Sequence, residues 1–193
     1  MEYRLSLPIS EEEIEKIKAG DIIYIDGIIV TARDEAHERA LEYLREGKAL
    51  PVDFSKVAVY HCGPVMKKNE EWHVIAAGPT TSRRMELFEY DFIKNFRTRI
   101  IIGKGGMGEK TAKACKEFKA IYAAFTGGAA VLAANAIKKV KGVEWLDLGM
   151  PEALWIFDVE NFGPLVVTID AHGNNLTEEV KRKAMEKAKE MEM

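Results

Sequence analysis

Glutamine is absent from this chain of 193 residues, cysteine occurs twice, and no apolar run approaches the length of a membrane span. Cys62 and Cys115 are too few for a disulfide framework. They are also too few to supply alone the cysteine set that holds an iron-sulfur cluster, so any cluster would have to come from another chain. The longest apolar runs, Ile121 to Phe125 and Ala129 to Ala134, fall well short of the roughly 20 residues a spanning helix needs. The polar, acidic N-terminal stretch does not read as a signal peptide, so cytoplasmic residence without a membrane partner is expected. Neither sign of charge dominates: 28 basic and 31 acidic residues are interspersed to a net charge of -3, which leaves no broad basic face for nucleic acid. Missing glutamine and a 31% charged fraction rich in glutamate and lysine resemble the bias of proteins from hot environments.

With 47% hydrophobic residues the chain has ample material for one core, and residues 1–193 read as a single domain. Ser10-Glu11-Glu12-Glu13 has capping-box spacing, which predicts a helix from about 11 to 19 closed by Gly20. Two β-branched runs, Ile22 to Ile25 and Ile28 to Thr31, flank Asp26-Gly27 and predict a hairpin with a type I′ turn. A helix capped by Asp34 runs through Arg45 to Gly47, and two further strands cover Val57 to Tyr60 and His73 to Ala77 around a polar turn at Lys67 to Glu71. Beyond Gly78 helices at 83–96, 108–118 and 128–138 alternate with strands at 99–102 and 120–125. Strands near 143–148, 154–159 and 165–170 and a last helix at 177–190 follow. The expected class is α/β, with a hairpin-rich β layer beside a mixed sheet with helices.

Cations and hydroxyls gather on the turn-prone segments Thr31-Ala32-Arg33-Asp34, Gly78-Pro79-Thr80-Thr81-Ser82-Arg83-Arg84 and Gly103-Lys104-Gly105-Gly106-Met107-Gly108. A guanidinium fork, a compact ammonium and close backbone amides are the groups that hold a small dianion. The third segment matches G-x-G-x-x-G between a strand and a helix, but it lies mid-chain, lacks an acidic ribose ligand and fails as a phosphate loop. It reads as an anion-binding helix N-terminus or, equally, as a tight turn with a solvated lysine. Thr81 or Ser82 serves as an N-cap, while arginines in a first helical turn oppose the macrodipole unless an anion sits there too. Of Arg83 and Arg84, at most one faces the site. His37, His61, His73 and His172 show no metal-ligand spacing; His172, at a strand end, is the one expected to matter. Cys62, beside His61, reads as a buried, inert thiol.

Taken with Asp26-Gly27, Glu35-Ala36-His37, Gly63-Pro64-Val65, Leu148-Gly149-Met150-Pro151-Glu152-Ala153 and Asp170-Ala171-His172-Gly173-Asn174, these segments resemble, in order and over nearly the whole chain, the β subunit of the iron-sulfur hydro-lyases, the class I fumarase and L-tartrate dehydratase family. The resemblance implies a swivelling β/β/α fold and a separate α subunit carrying a 4Fe-4S cluster on three cysteines. It implies that Arg33, Thr80, Arg84 and Lys104 contact a C4 dicarboxylate, with Thr80 a proton-transfer residue and Thr81 a neighbouring hydroxyl; an unperturbed hydroxyl is a poor base, so Thr80 needs activation by a nearby cation such as Lys104 or by a group from the partner chain. Arg83 departs from the family's pattern and receives no role. The activity implied is reversible hydration of fumarate to L-malate, with L-tartrate dehydration as the alternative. Two-fold pairing of such subunits within a heterotetramer is the expected assembly. From a different class, the glycine-rich segment leaves open a stand-alone nucleotide or anion-binding module, and a bare scaffold for the α subunit is a third reading.

Overall fold

The strongest local signals act as written. In the computed structural model, which describes residues 1–191, Ser10 Oγ accepts the Glu13 N–H and the Glu13 carboxylate accepts the Ser10 N–H, opening helix α1 (Glu11–Lys16). The helix ends sooner than expected: Ile17 is already extended, and the Gly20 N–H donates to Val167 at 2.8 Å instead of capping. Helix α2 (Asp34–Glu46) does close on a left-handed Gly47, at φ 66°. Its N-cap is Arg33 and not Asp34, because the Asp34 carboxylate is taken by Arg84.

The expected hairpin at Asp26-Gly27 is one continuous strand. Strand β2 (Ile22–Thr31) runs through both residues alongside β9 (Leu154–Ile169), with register shifts between Ile23 and Gly27. Gly27 sits at φ 119°, and a Cβ there would lie 3.0 Å from the Leu7 Cβ, so the dipeptide serves a bulge that bends the strand. Asp26 accepts the Asn161 N–H across the same irregularity. Local turn chemistry was outweighed by a long-range partner sixteen residues in length. That partner likewise joins the two strands expected at 154–159 and 165–170.

The remaining elements are β1 (Glu2–Ser6), β3 (Ala58–Tyr60), β4 (Val65–Lys68), β5 (Trp72–Ala76), α3 (Glu89–Phe96), β6 (Ile100–Gly103), α4 (Glu109–Phe118), β7 (Ile121–Ala124), α5 (Ala130–Ala136), β8 (Ile137–Glu144) and α6 (Leu176–Met191). The helix expected at 83–96 is split: Ser82–Leu87 forms a 3-10 segment before α3. Residues 146–148 are 3-10 as well, the strand expected there being displaced to β8.

A seven-stranded mixed sheet runs β1-β2-β3-β6-β7-β9-β8, and because β9 also pairs with β2, five strands close into a barrel. Strands β1, β2, β3, β6 and β7 are mutually parallel, while β9 is antiparallel to β2, β7 and β8. A hairpin of β4 and β5 forms a separate small sheet, so the β-layer-plus-mixed-sheet class holds, with one hairpin in the first half of the chain where several were expected. Alternation divides the core. Ile100 and Ile102 face a cluster with Tyr60, Trp155, Phe157 and Phe162, whereas Ile101 packs on the other face with Phe92, Phe96 and Cys115. Each fully buried large side chain contributes about 1.5–3 kcal/mol, so this two-sided sheet, and not α6, which buries no residue, carries the stability.

The parallel strands bring four C-terminal ends to one pole of the barrel, the place where such sheets carry ligands. Arg33 follows β2, His61 follows β3, Lys104 follows β6 and Thr126 to Gly128 follow β7.

The bulge makes a test. Asparagine tolerates the left-handed turn of a hairpin but not φ near 119°, so Gly27→Asn should lower unfolding free energy by about 1–3 kcal/mol in urea titration. An unchanged midpoint would restore the hairpin.

Candidate functional site

Residues 78–82 form a strap laid across the ends of β3 and β6. The Thr80 N–H donates to the His61 carbonyl at 2.8 Å, the Ser82 N–H to the Lys104 carbonyl at 3.1 Å, and the Lys104 N–H returns to Ser82 Oγ at 3.0 Å. Isolated bridges pair Cys62 with Pro79 and Thr81 with Lys104. Thr80, Thr81 and Lys104, expected from sequence, are therefore in neighbouring registers. Thr80 Oγ1 and Lys104 Nζ make no hydrogen bond or ion pair among the described residues, and both residues are partly exposed. A hydroxyl and an ammonium are thus presented unspent at the barrel end.

Arg33 lies beside them at the start of α2. Its Nη2 is 3.0 Å from Glu152, with side-chain exposures of 23% and 16%, while its Nε is buried with no partner. Half of this guanidinium is thus fixed and half is unsatisfied. Burial pushes the Glu152 carboxyl up despite the Glu35 N–H and the charge of Arg33. Arg84 reaches the same region through Asp34: its Nε and Nη2 donate to the two carboxylate oxygens at 3.2 and 2.8 Å. Burial raises the Asp34 carboxyl, but the Arg84 fork and the charges of Arg84 and Arg33 outweigh it and hold it low. The anion expected opposite the arginines is thus, for Arg84, the chain's own Asp34. Arg83 points elsewhere, 4.0 Å from Glu178.

The glycine-rich segment is also satisfied from within. The Glu86 carboxylate accepts the backbone N–H groups of Gly108 at 2.6 Å, Lys110 at 3.0 Å and Thr111 at 3.3 Å, and the Thr111 hydroxyl at 2.7 Å. An added Cβ would lie 2.7 Å from Glu86 at Gly108 and 1.7 Å from Ser82 Oγ at Gly103. These glycines admit internal side chains, and the helix N-terminus that a phosphate would need is occupied by a tethered carboxylate. The nucleotide-module reading loses its site.

His172 is not brought to this pole. Strand β9 runs against the parallel strands, so its end, and the residues after it, lie by the starts of β2 and β7. There His172 Nε2 meets Lys18 Nζ at 2.6 Å and the Glu15 carbonyl at 2.9 Å. Asp170 organises that turn, accepting N–H groups of Ala19, His172 and Asn174. The rule that strand ends carry sites applies to parallel strands, and sequence did not show that β9 is reversed. Thr31 is also structural: its hydroxyl donates to Ala153 at 3.1 Å and accepts the Trp155 N–H at 3.0 Å.

Sequence reasoning missed Glu152, which lay inside a quoted motif without a role, and the buried set His37, His61 and Glu89 behind the strap. Cys62 and Cys115 are buried in separate clusters, and burial pushes both thiols up. Inert packing fits Cys62 as expected, and the two cysteines together do not fit an iron-sulfur ligand set.

Comparison with known proteins agrees along the length of the chain. It is 45% identical over 183 residues to "L(+)-tartrate dehydratase subunit beta" of Escherichia coli (strain K12), spanning 94% of this chain and 90% of that one. It is 46% identical over 193 residues to "Putative L(+)-tartrate dehydratase subunit beta" of Methanocaldococcus jannaschii, spanning 99% and 98%. A third relative, "Putative fumarate hydratase class I" of Geobacillus stearothermophilus, is 47% identical over 185 residues, which are 95% of this chain but 35% of that longer protein. Since the model of the family described as "Fumarase C-terminus" also matches residues 2–180, the chain belongs to that family.

Proposed function

We propose that this chain is the β subunit of a cytoplasmic hydro-lyase that interconverts fumarate and L-malate, and that a separate α subunit supplies a 4Fe-4S cluster. The observation that carries the reading is the convergence of Arg33 and Lys104, from two strand ends, and Thr80, from the strap laid over them, onto one pole, with the Thr80 hydroxyl, the Lys104 ammonium and the Arg33 Nε unused among the described residues. A dianion of four carbons needs such a set: cations for a carboxylate and a hydroxyl held at the adjacent carbon.

In this reading Arg33 and Lys104 grip one carboxylate, Glu152 fixing the guanidinium from behind. Arg84, oriented by Asp34, adds its remaining Nη1, which makes no hydrogen bond among the described residues. Thr80 Oγ1 exchanges the proton at the carbon beside the carboxylate. An ordinary hydroxyl is a weak base, and a cation one register away supports its deprotonated form. Thr81, exposed at the rim, is a secondary contact. The dicarboxylate is thus held by this chain, and the cluster is assigned to the partner because the cysteines here do not suit it.

An exposed apolar rim lies beside the strap. The Ala77 N–H donates to Ala130 at 3.1 Å, which sets the start of α5 beside the strap, and on that helix Val131 and Leu132 are 64% and 50% exposed. We place the α subunit against this apolar rim, with two β subunits pairing in a heterotetramer. A second reading, L-tartrate dehydration, is favoured by one observation: the relatives matched along 90% and 98% of their own lengths carry that name.

Reconstitution with the α subunit under anaerobic conditions tests both readings. L-malate should turn over faster than L-tartrate, and a strong preference for tartrate replaces the first reading by the second. Thr80→Val and Lys104→Met should each lower turnover by about 100-fold or more, as loss of one oriented polar group does in a dry site. Arg84→Lys should raise KM through loss of the fork. Unchanged kinetics in the Thr80 and Lys104 variants would reduce the chain to a scaffold.

A further inference from the structure

Directly behind the strap, three ionisable side chains meet in the interior: His37 from α2, His61 after β3 and Glu89 at the start of α3, all with 0% exposure. Glu89 Oε2 is 3.1 Å from His61 Nε2 and 3.6 Å from His37 Nε2, and the two imidazole rings meet edge-on with centroids 5.2 Å apart. Both Nε2 atoms and both Glu89 oxygens are buried without an aligned hydrogen-bond partner. Four such atoms in one place are costly unless something unites them.

The far ends of the imidazoles are fixed. His37 Nδ1 is 2.7 Å from the Arg33 carbonyl, which can only accept, so that nitrogen carries a hydrogen and the neutral ring offers its Nε2 lone pair to Glu89. His61 Nδ1 is 2.9 Å from Ser82 Oγ, the same oxygen that accepts the Lys104 N–H. An ionised Glu89 would leave the His37 lone pair facing a carboxylate. One proton on the Glu89 carboxyl removes the conflict, and the broad terminal torsion of glutamate aligns it at little cost.

We propose that Ser82, His61, Glu89 and His37 form a charge-neutral hydrogen-bond chain that ties the backbone of Lys104 to the backbone of Arg33 and fixes the spacing of these two carboxylate-gripping residues. The Lys104 N–H donates to Ser82 Oγ, the Ser82 hydroxyl to His61 Nδ1, His61 Nε2–H to one Glu89 oxygen, the protonated Glu89 oxygen to His37 Nε2, and His37 Nδ1–H to the Arg33 carbonyl. Each link donates once and accepts once. None of the four touches substrate, so they are positioning residues; their effect on catalysis rests on the function proposed above.

The surroundings favour this protonation. Burial pushes Glu89 up to about 7 against the pull of His37, and Glu86 from the 3-10 segment raises it further. Burial drives His61 down to about 3 and lowers His37, with Asp34 of α2 opposing in both cases. Arg33 at the head of α2 meets the set through its backbone carbonyl, with its guanidinium on Glu152, and the Cys115 thiol of α4 and the Tyr122 phenol of β7 also face the set, burial keeping both protonated. Phe88 and Phe92 cover the His37 ring.

Glutamine reproduces a protonated glutamate: its oxygen accepts from His61 and its amide donates to His37. A carboxyl raised in the folded state contributes stability at low pH that is lost as pH rises through about 7. The Tm of the native chain minus that of Glu89→Gln should therefore fall between pH 5 and pH 8. A rise would mean an ionised Glu89 and overturn the proposal, as would one divalent metal per native chain by elemental analysis that disappears in Glu89→Gln. Neither readout depends on activity, so they decide the chain even if no hydro-lyase activity is found. In the reconstituted enzyme, Glu89→Leu and Ser82→Ala should lower kcat/KM on the order of 10 to 100-fold, mainly through KM, with Glu89→Gln recovering most of the Leu loss. Full kcat/KM in either Glu89→Leu or Ser82→Ala, or equal loss in Gln and Leu, would overturn it.

Discussion

One oxygen holds the functional pole together. Ser82 Oγ accepts the backbone of Lys104 from β6 and faces the ring of His61 from β3, while the Ser82 N–H bonds the Lys104 carbonyl. This contact keeps the strap flat on the strand ends, and the strap carries Thr80 and Thr81. Gly103 is bare because any side chain would coincide with that hydroxyl. Without the contact, residues far apart in the chain would share a pole of the barrel but not a register.

The charges at that pole follow a common logic. Each guanidinium pointed toward the site is held by an internal carboxylate on one side only: Glu152 on Arg33 and Asp34 on Arg84. Such pairing orients a guanidinium without exhausting its five donors. Lys104 has no such partner among the described residues, and its neighbours are backbone and hydroxyls. In the dicarboxylate reading proposed above, the guanidiniums are the directional grips and the ammonium is the point charge.

How much of this the sequence disclosed depends on the range of the forces involved. Ser10 and Gly47 were legible because a cap is decided within four residues, and β6-α4-β7 was legible because alternation and turn chemistry agree there. The Asp26-Gly27 hairpin was misread because the deciding partner, β9, lies more than 120 residues away, and a bulge uses the same dipeptide as a turn. Thr80, Lys104 and Arg33 stood out as polar groups on turns. His37, His61 and Glu89 did not, since their spacing matches no ligand motif and only the closed sheet brings them together. His172 misled for the opposite reason: it sits at a strand end, but the strand is reversed.

Glu86 has a consequence for selectivity. Because the cradle of amides at the head of α4 is filled by a group covalently part of the protein, a diffusing phosphate can bind there only by evicting a resident that its tether holds at high effective concentration. A loop with the outward grammar of nucleotide recognition is thereby closed to phosphate at that helix end.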